Sequence, residues 1–309
     1  MAADLSKPRV AFQGDHGAFS EAAAIQLLGD WIVTVPCSTF DAAFRAVPDG
    51  AADALLAPIE NSLAGSVVRV YDLLLTTELG IVAETILPIE HHVIGMPGAT
   101  LEGLRSVASH PMALAQCEKF FLAHPELKRV PAEDTAGSVR QVLAVGDKTA
   151  AAIAGRRAAE FYSGVILSEN VEDDPENFTR FVLLIPVDRS DVCELKASSP
   201  AVTDLMVELQ VRLAERDASE LTLKMSVALR LAHKPGSLVA TLEPFARHGV
   251  NLLKIESRPI HGSPWEYQFF IDIESPEADR LQSALHEVRA KASDLRILGL
   301  YRATRSLPR

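Results

Sequence analysis

Cysteine is scarce in this chain of 309 residues: there are 3, at Cys37, Cys117 and Cys193. An odd, scattered set builds no disulfide framework and fits a reducing compartment, so a cytoplasmic protein is expected. Cys37 and Cys117 read as buried apolar thiols. Runs of lysine and arginine are also lacking, and the net charge is −11. That balance argues against nucleic acid or an anionic membrane as the main partner. No apolar stretch is long enough to span a bilayer, and MAADLSKPRVAF lacks the apolar core of a secretory leader. The glycine-rich nucleotide fingerprints are missing, since Gly14-x-x-Gly17 is not G-x-G-x-x-G and no Walker loop occurs. There is no G-x-S-x-G elbow. No His-x-x-x-His or Cys-x-x-Cys occurs, and the adjacent His91 and His92 of an extended stretch should face opposite ways. Neither a cofactor nor a metal is expected. Asn177-Phe178-Thr179 matches a glycosylation sequon by chance.

What is present is an ordinary globular composition, 48% hydrophobic and 23% charged, on a chain long enough for two or three domains. Short apolar runs alternate with amphipathic stretches. RVAFQ, WIVTVPC, DALLAPIE, Gly80–His91, RSVASH, GVIL and FVLLIPV read as strands or extended segments, and KRVPAED leads to a helix. Phe19–Leu28, the segment around Phe40 and Phe44, the one opening at Ser66, Pro111–Phe121, Ser138–Val145 and the Ala-rich KTAAAIAGRRAAEFY read as helices. This alternation is that of an α/β region with largely parallel sheets. It breaks after Val187. A polar segment, 189–223, reads as a linker with a short amphipathic helix. From Lys224 the order is βαββαβ, a ferredoxin-like split unit.

Polar motifs fall where predicted strands end and helices begin: Gly14–Ser20, Pro58–Ser62 with Gly65-Ser66, Ser109-His110-Pro111, and Asp134–Ser138. Ligands of open α/β sheets bind beyond the carboxyl ends of the strands. Helix N-termini offer unpaired N–H groups and a positive dipole end, so several of them can hold an anion without clustered lysines. Taken singly, Ser20, Ser66, Thr135 and Ser138 read as N-caps rather than binding groups; four at equivalent positions favour a site. Glu60 at a strand end is an acid, a base, a binding group or a solvated turn residue. In DDPENFTRFVLLIP, extended backbone sends Thr179 and Phe181 one way and Arg180 the other. Arginine suits a bidentate carboxylate grip, and threonine is a neutral donor.

In order, GDHGAFSEAA, PIENSLAGSV, SHPMALAQC, DTAGSV and NFTRFVLL resemble the prephenate dehydratase family. KPGSLVATLEPFARHGVNLLKIESRP with WEYQFFIDIE resembles the ACT regulatory module that follows it there. The match covers nearly the whole chain. The resemblance implies a catalytic domain over 8–188, built as two lobes like a type II periplasmic binding protein. Lobe one would be 8–84 with 165–188, lobe two 85–164, and the ACT domain 224–303. It implies conversion of prephenate to phenylpyruvate, with feedback by L-phenylalanine. Thr179 falls on the family's essential threonine, and Glu60 is an alternative acid if burial raises its pKa. Ser20, Asn61, Ser62, Thr135, Arg180 and Phe181 fall on positions expected to bind substrate. Gly236, Ser237 and Leu238, with Glu256, Ser257, Arg258 and Pro259, fall on the expected phenylalanine site. ACT modules pair, so a homodimer or homotetramer is implied. Met112 stands where the family has Gln, and Ser237 where it has Ala. Arogenate dehydratase and a non-enzymatic carboxylate or amino-acid sensor are the alternatives on the same pattern.

Overall fold

The computed structural model describes residues 7–187, 200–216, 222–260 and 262–304. The expected linker lies partly outside the described residues, and Cys193 and His261 lie wholly outside them. The elements in chain order are β1 (Arg9–Gln13), α1 (Phe19–Leu28), β2 (Val33–Cys37), α2 (Phe40–Ala46), β3 (Ala54–Asn61), the two-residue β4 (Gly65–Ser66), α3 (Val68–Thr76) and β5 (Leu79–Pro88). Then come β6 (His92–Gly95), β7 (Ser106–Ser109), α4 (Pro111–Ala115), α5 (Glu118–Ala123), β8 (Lys128–Pro131), α6 (Thr135–Val145), β9 (Ala150–Ala154), α7 (Arg156–Tyr162), β10 (Val165–Ser168) and β11 (Phe178–Pro186). The rest is α8 (Pro200–Arg216), β12 (Leu223–Arg230), α9 (Ser237–Arg247), β13 (Asn251–Ile260), β14 (Ser263–Ser275), α10 (Ala278–Lys291) and β15 (Asp294–Arg302). They form two compact units. The first runs through Tyr71 and over Thr85–Phe181; the second takes Asp72–Glu84 and, among the described residues, those from Val182 to Thr304.

The first unit holds two α/β lobes with the same strand logic. In one, β1 lies between β2 and β3, parallel to both. In the other, β7 lies between β8 and β9, again parallel to both. In each lobe the chain leaves the central strand to one side and returns on the other. The carboxyl ends of β1 and β7 are therefore switch points, where the crossovers diverge and leave a crevice. Gly14–Ser20 follows β1, and His110 follows β7. Phe12, Leu27, Leu28, Phe44, Leu55 and Leu56 fill the first lobe. Val93, Val107, Leu114, Phe121 and Ile153 fill the second. A further cluster joins Phe12 and Ala18 to Ile94, Ala136, Val139 and Ala158.

KTAAAIAGRRAAEFY is not one helix. Ala150–Ala154 is a strand, and the helix begins at Arg156. Alanine favours helix by a few tenths of a kcal/mol per residue. Here β9 is central, paired with both β6 and β7, and Ala151–Ala154 are fully buried. Burial on both faces overrides that preference. Likewise Pro111–Phe121 breaks into two helices around Gln116 and Cys117.

The second unit carries the βαββαβ module, whose sheet runs β13-β14-β12-β15 with β5 beyond β15. Strand β5 meets β15 at Ile81–Gly299. A Cβ at Gly299 would lie 2.2 Å from the Ile81 carbonyl oxygen, so only glycine fits there. This contact explains why Asp72–Glu84, expected in lobe one, joins the second unit. Arg296 reinforces the contact by donating to the carbonyls of Leu75 and Thr77. Lys224 Nζ donates to both oxygens of Glu84, at 3.0 and 2.9 Å, and the Glu84 side chain is fully buried. Thr304 adds a backbone N–H to Glu84 Oε1 at 2.9 Å. Removing one partner of such a pair strands the other charge in the interior. Lys224→Met should cost about 3–5 kcal/mol. A urea titration should show this loss, and adding Glu84→Gln should recover part of it.

Candidate active site

Strand β3 ends in Glu60-Asn61, and the chain turns back at once, with Glu60 pairing Ser66 and Asn61 pairing Gly65. The Asn61 side chain is held at both ends. Its Oδ1 accepts from the N–H groups of Leu63 and Ala64, at 3.0 and 2.7 Å. Its Nδ2 donates to Asn177 Oδ1 at 2.7 Å, Thr179 Oγ1 at 2.9 Å and the Phe178 carbonyl at 3.1 Å. Ser62 adds a clamp: its hydroxyl donates to the Glu176 carbonyl and accepts from Phe178 N–H, both at 2.9 Å. Two segments far apart in sequence are thus joined at the head of β11. Thr179 is 8% exposed there. Arg180 faces the other way and meets Glu60, Nη2 to Oε2, at 3.3 Å. The Glu60 side chain is 37% exposed, so the burial on which an acid role rests is absent.

The second lobe supplies Gln116. Its Oε1 lies 3.3 Å from Asn177 Nδ2 and 3.2 Å from His91 Nε2. His91 is buried and packs edge-on against Phe19 at 5.5 Å. Burial keeps its pKa below the ordinary imidazole value, against the pull of Gln116 and Glu172. His92 is also buried, and its Nδ1 accepts from Asn170 N–H. Asp173 anchors the loop before β11 by accepting from the N–H groups of Glu118 and Lys119, both at 2.8 Å. Among the described residues no group of three His, Cys, Asp or Glu is placed to hold a metal.

The four hydroxyls that singly read as N-caps are not side-chain caps where the caps are seen. Ala18 precedes α1, whose second residue is the buried Ser20. Asp134 caps α6 through Gly137 N–H, leaving the half-buried Thr135 as its first helical residue. Ser138 donates to the Asp134 carbonyl, and Ser66 lies in β4. The helix ends expected to receive an anion are themselves partly closed. His110 Nδ1 takes the Met112 N–H of α4 at 3.2 Å, and Asp134 takes one N–H of α6. Unlike α4 and α6, α1 has no side-chain cap. Phe181, expected to touch substrate, is 2% exposed and sits in the core. Met112 is 51% exposed.

Glu21 was not singled out by sequence. It is 1% exposed, and it accepts from Gly17 N–H at 2.6 Å and Thr34 Oγ1 at 2.7 Å, with His16 Nδ1 at 2.7 Å. Arg157 of α7 stands 3.6 Å away. His16 stacks on Phe161 of the same helix at 4.6 Å. A Cβ at Gly17, whose φ is +87°, would meet Ala158 Cα at 2.6 Å. The Gly14–Ser20 turn is thereby fixed against the second lobe. Its periodic helix pattern marks Glu21 only as a polar residue of the first turn; burial is visible only in three dimensions.

In the second unit, a cavity of about 360 Å³ is lined by His233, Lys234, Ser237, Leu238, Tyr267 and Phe269, among others. Gly236, with φ 80°, opens α9 without a side-chain cap. Ser257 and Pro259 pair across strands with Phe269 and Tyr267. Glu256 and Arg258 fall on the opposite face by alternation, and Arg258 pairs there with Asp72 at 3.6 Å.

The architecture is thus a two-lobed α/β region with an Asn-Thr-Arg cluster at the head of β11, followed by a ferredoxin-like module with a ligand-sized cavity. The chain belongs to the prephenate dehydratase family: that family's model matches residues 10–188, and the ACT domain model matches 225–290. It is 38% identical to arogenate dehydratase/prephenate dehydratase 1 of Arabidopsis thaliana, over 96% of this chain and 73% of that protein. The crystal structure of prephenate dehydratase from Arthrobacter aurescens in complex with L-Phe is 30% identical, with a TM-score of 0.77 over 95% of this chain and 89% of that one. GqqA, described as a novel type of quorum quenching acylase, is 33% identical, with a TM-score of 0.79 over 96% and 98%.

Burial acts to raise the Glu21 pKa, but bonds from Gly17, His16 and Thr34 outweigh it and hold the carboxyl below the ordinary 4.5. A lowered folded pKa gives stability that is complete above the unfolded value and lost as pH falls through the folded one. Glu21→Gln should therefore destabilise at neutral pH, by about 1–3 kcal/mol. Thermal melts should show the gap to wild type closing below pH 4.5.

Proposed function

We propose that this protein is a prephenate dehydratase, a lyase of L-phenylalanine synthesis regulated through its ACT domain. The observation that carries it is the cluster at the head of β11, where Thr179 is locked beside Asn61 and next to Arg180. In the reaction, the electron pair of the bond to the ring carboxylate moves into the ring. Carbon dioxide departs, and the ring C–O bond breaks. The leaving hydroxide takes a proton and becomes water, and aromatic phenylpyruvate remains. No cofactor is needed, because aromatisation drives the step.

Two demands fall on the protein. The first is to hold the side-chain carboxylate. Arg180 suits this, with the substrate taking over from Glu60, and Ser20 and Thr135 offer hydroxyl donors. A guanidinium on the ring carboxylate would oppose its loss as a neutral gas, so the grip belongs on the other one. The second demand is to relieve charge on the departing hydroxyl. Threonine is a poor general acid, so Thr179 acts mainly as a fixed hydrogen-bond donor. Asn61 and Ser62 hold the frame rather than the substrate. In this reading the enzyme works in the cytoplasm as a homodimer or homotetramer. L-phenylalanine occupies the cavity at the start of α9, with its carboxylate toward Gly236, Ser237 and Leu238. Arogenate, with an ammonium group in place of the keto oxygen, is the second substrate to test.

Thr179→Ala should lower kcat about 100-fold or more with KM changed far less. Product absorbance should be followed with prephenate and with arogenate, with and without phenylalanine. Equal kcat in the variant removes Thr179 from the chemistry. Turnover of neither substrate by wild type leaves the sensor reading.

A further inference from the structure

Resting on the dehydratase reading above, we infer that Asn61 is a positioning residue that fixes the direction of the Thr179 hydroxyl, and that Gln116 and His91 lock the far end of the same chain. The directions follow from which groups can only donate. Leu63 and Ala64 N–H groups both point at one Asn61 side-chain atom, so that atom is the oxygen. The other atom is the NH2, which has no acceptor capacity. Thr179 Oγ1, 2.9 Å from it, must therefore accept. Its own proton is directed elsewhere, and among the described residues it meets no acceptor. The hydroxyl is held with its proton free for an incoming oxygen.

The same logic runs outward. Asn177 turns its oxygen to the Asn61 NH2, so its own NH2 faces Gln116 Oε1 at 3.3 Å. Gln116 then accepts, and His91 must donate from Nε2 at 3.2 Å. His91 is thereby the Nε2–H tautomer, and its buried Nδ1 has no hydrogen-bond partner. A histidine whose pKa burial depresses stays neutral and keeps that tautomer. Both lobes contribute: Asn61 stands on β3, and Gln116 follows α4.

The test is Asn61→Asp. Its carboxylate still accepts from Leu63 and Ala64 but cannot donate, so Thr179 would turn its proton inward. With prephenate as substrate, kcat should fall about 100-fold at neutral pH with KM within about threefold. As pH falls, the introduced carboxyl gains a proton and becomes a donor, so the variant-to-wild-type kcat ratio should climb. Glu60, Arg180, Glu172, Glu176, His91 and His92, the charged or titratable groups along the chain, are common to both proteins, so the ratio reports chiefly the introduced carboxyl. A ratio near one, or a depressed ratio that stays flat with pH, overturns the inference. Should the variant not fold, the wild-type imidazole ¹⁵N–¹H correlation decides: an Nδ1–H tautomer at His91 overturns it. Wild type inactive on prephenate and arogenate instead refutes the dehydratase reading, whatever the tautomer.

Discussion

The side chain of Asn61 is the joint on which the catalytic region depends. One amide group satisfies two backbone donors of its own turn and reaches two side chains and a carbonyl on the approach to β11. Neither a carboxylate nor a hydroxyl can do this. Aspartate has no N–H, and serine is too short to bridge a turn and a neighbouring strand. The two bonds within the turn are exposed and the three toward β11 are part-buried; a typical bond of this kind contributes about 0.5–1.5 kcal/mol. The strand pairing places β3 and β11 side by side, but the amide decides what the threonine presents.

A chain of net charge −11 that binds a dianion has to neutralise its own carboxylates near the site. It does so by engaging them. Asp15 holds Arg140, Glu21 sits among Gly17, His16 and Thr34, and Asp173 takes two N–H groups at the start of α5. Asp134 closes one end of α6. Each of these acids spends its charge on fixing a loop or a helix start. The cost is that helix ends suited to anions are already used by the chain itself. In the proposed reading the binding load would then move to Arg180 and to neutral hydroxyls, which suits a substrate that must lose one of its charges as carbon dioxide.

Much of the fold was legible. RVAFQ, Phe19–Leu28, GVIL and the βαββαβ order all lie where periodicity places them. These segments have local signals that agree with their tertiary setting. Ala150–Ala154 was not legible, because alanine carries no β-branch or aromatic mark and its strand state comes from two neighbours that sequence does not display. The motif positions Asn61, Thr179 and Arg180 could be read as a group only through family resemblance, since 118 residues separate Asn61 from the hydroxyl it binds. Glu21, His91, Gln116 and Asn177 carry no local signal at all. Their roles arise from burial and from which atoms face each other.

The cap assignments show the limit most sharply. Serine or threonine at a helix start is a fair sign of an N-cap, worth about 1 kcal/mol. Ser20 and Thr135 each stand one or two positions inside the helix instead, after Ala18 and Asp134. A hydroxyl inside the first turn is less needed by its own backbone, because another residue, or none, does the capping. At Thr135 the cap is a carboxylate, the stronger acceptor, and at Ser20 the helix goes without a side-chain cap. A helix start that forgoes the cheap local stabiliser while keeping a hydroxyl beside it has that group to spare for something else. That asymmetry between where a cap belongs and where the hydroxyl stands is set by the backbone of each turn, which residue type alone does not display.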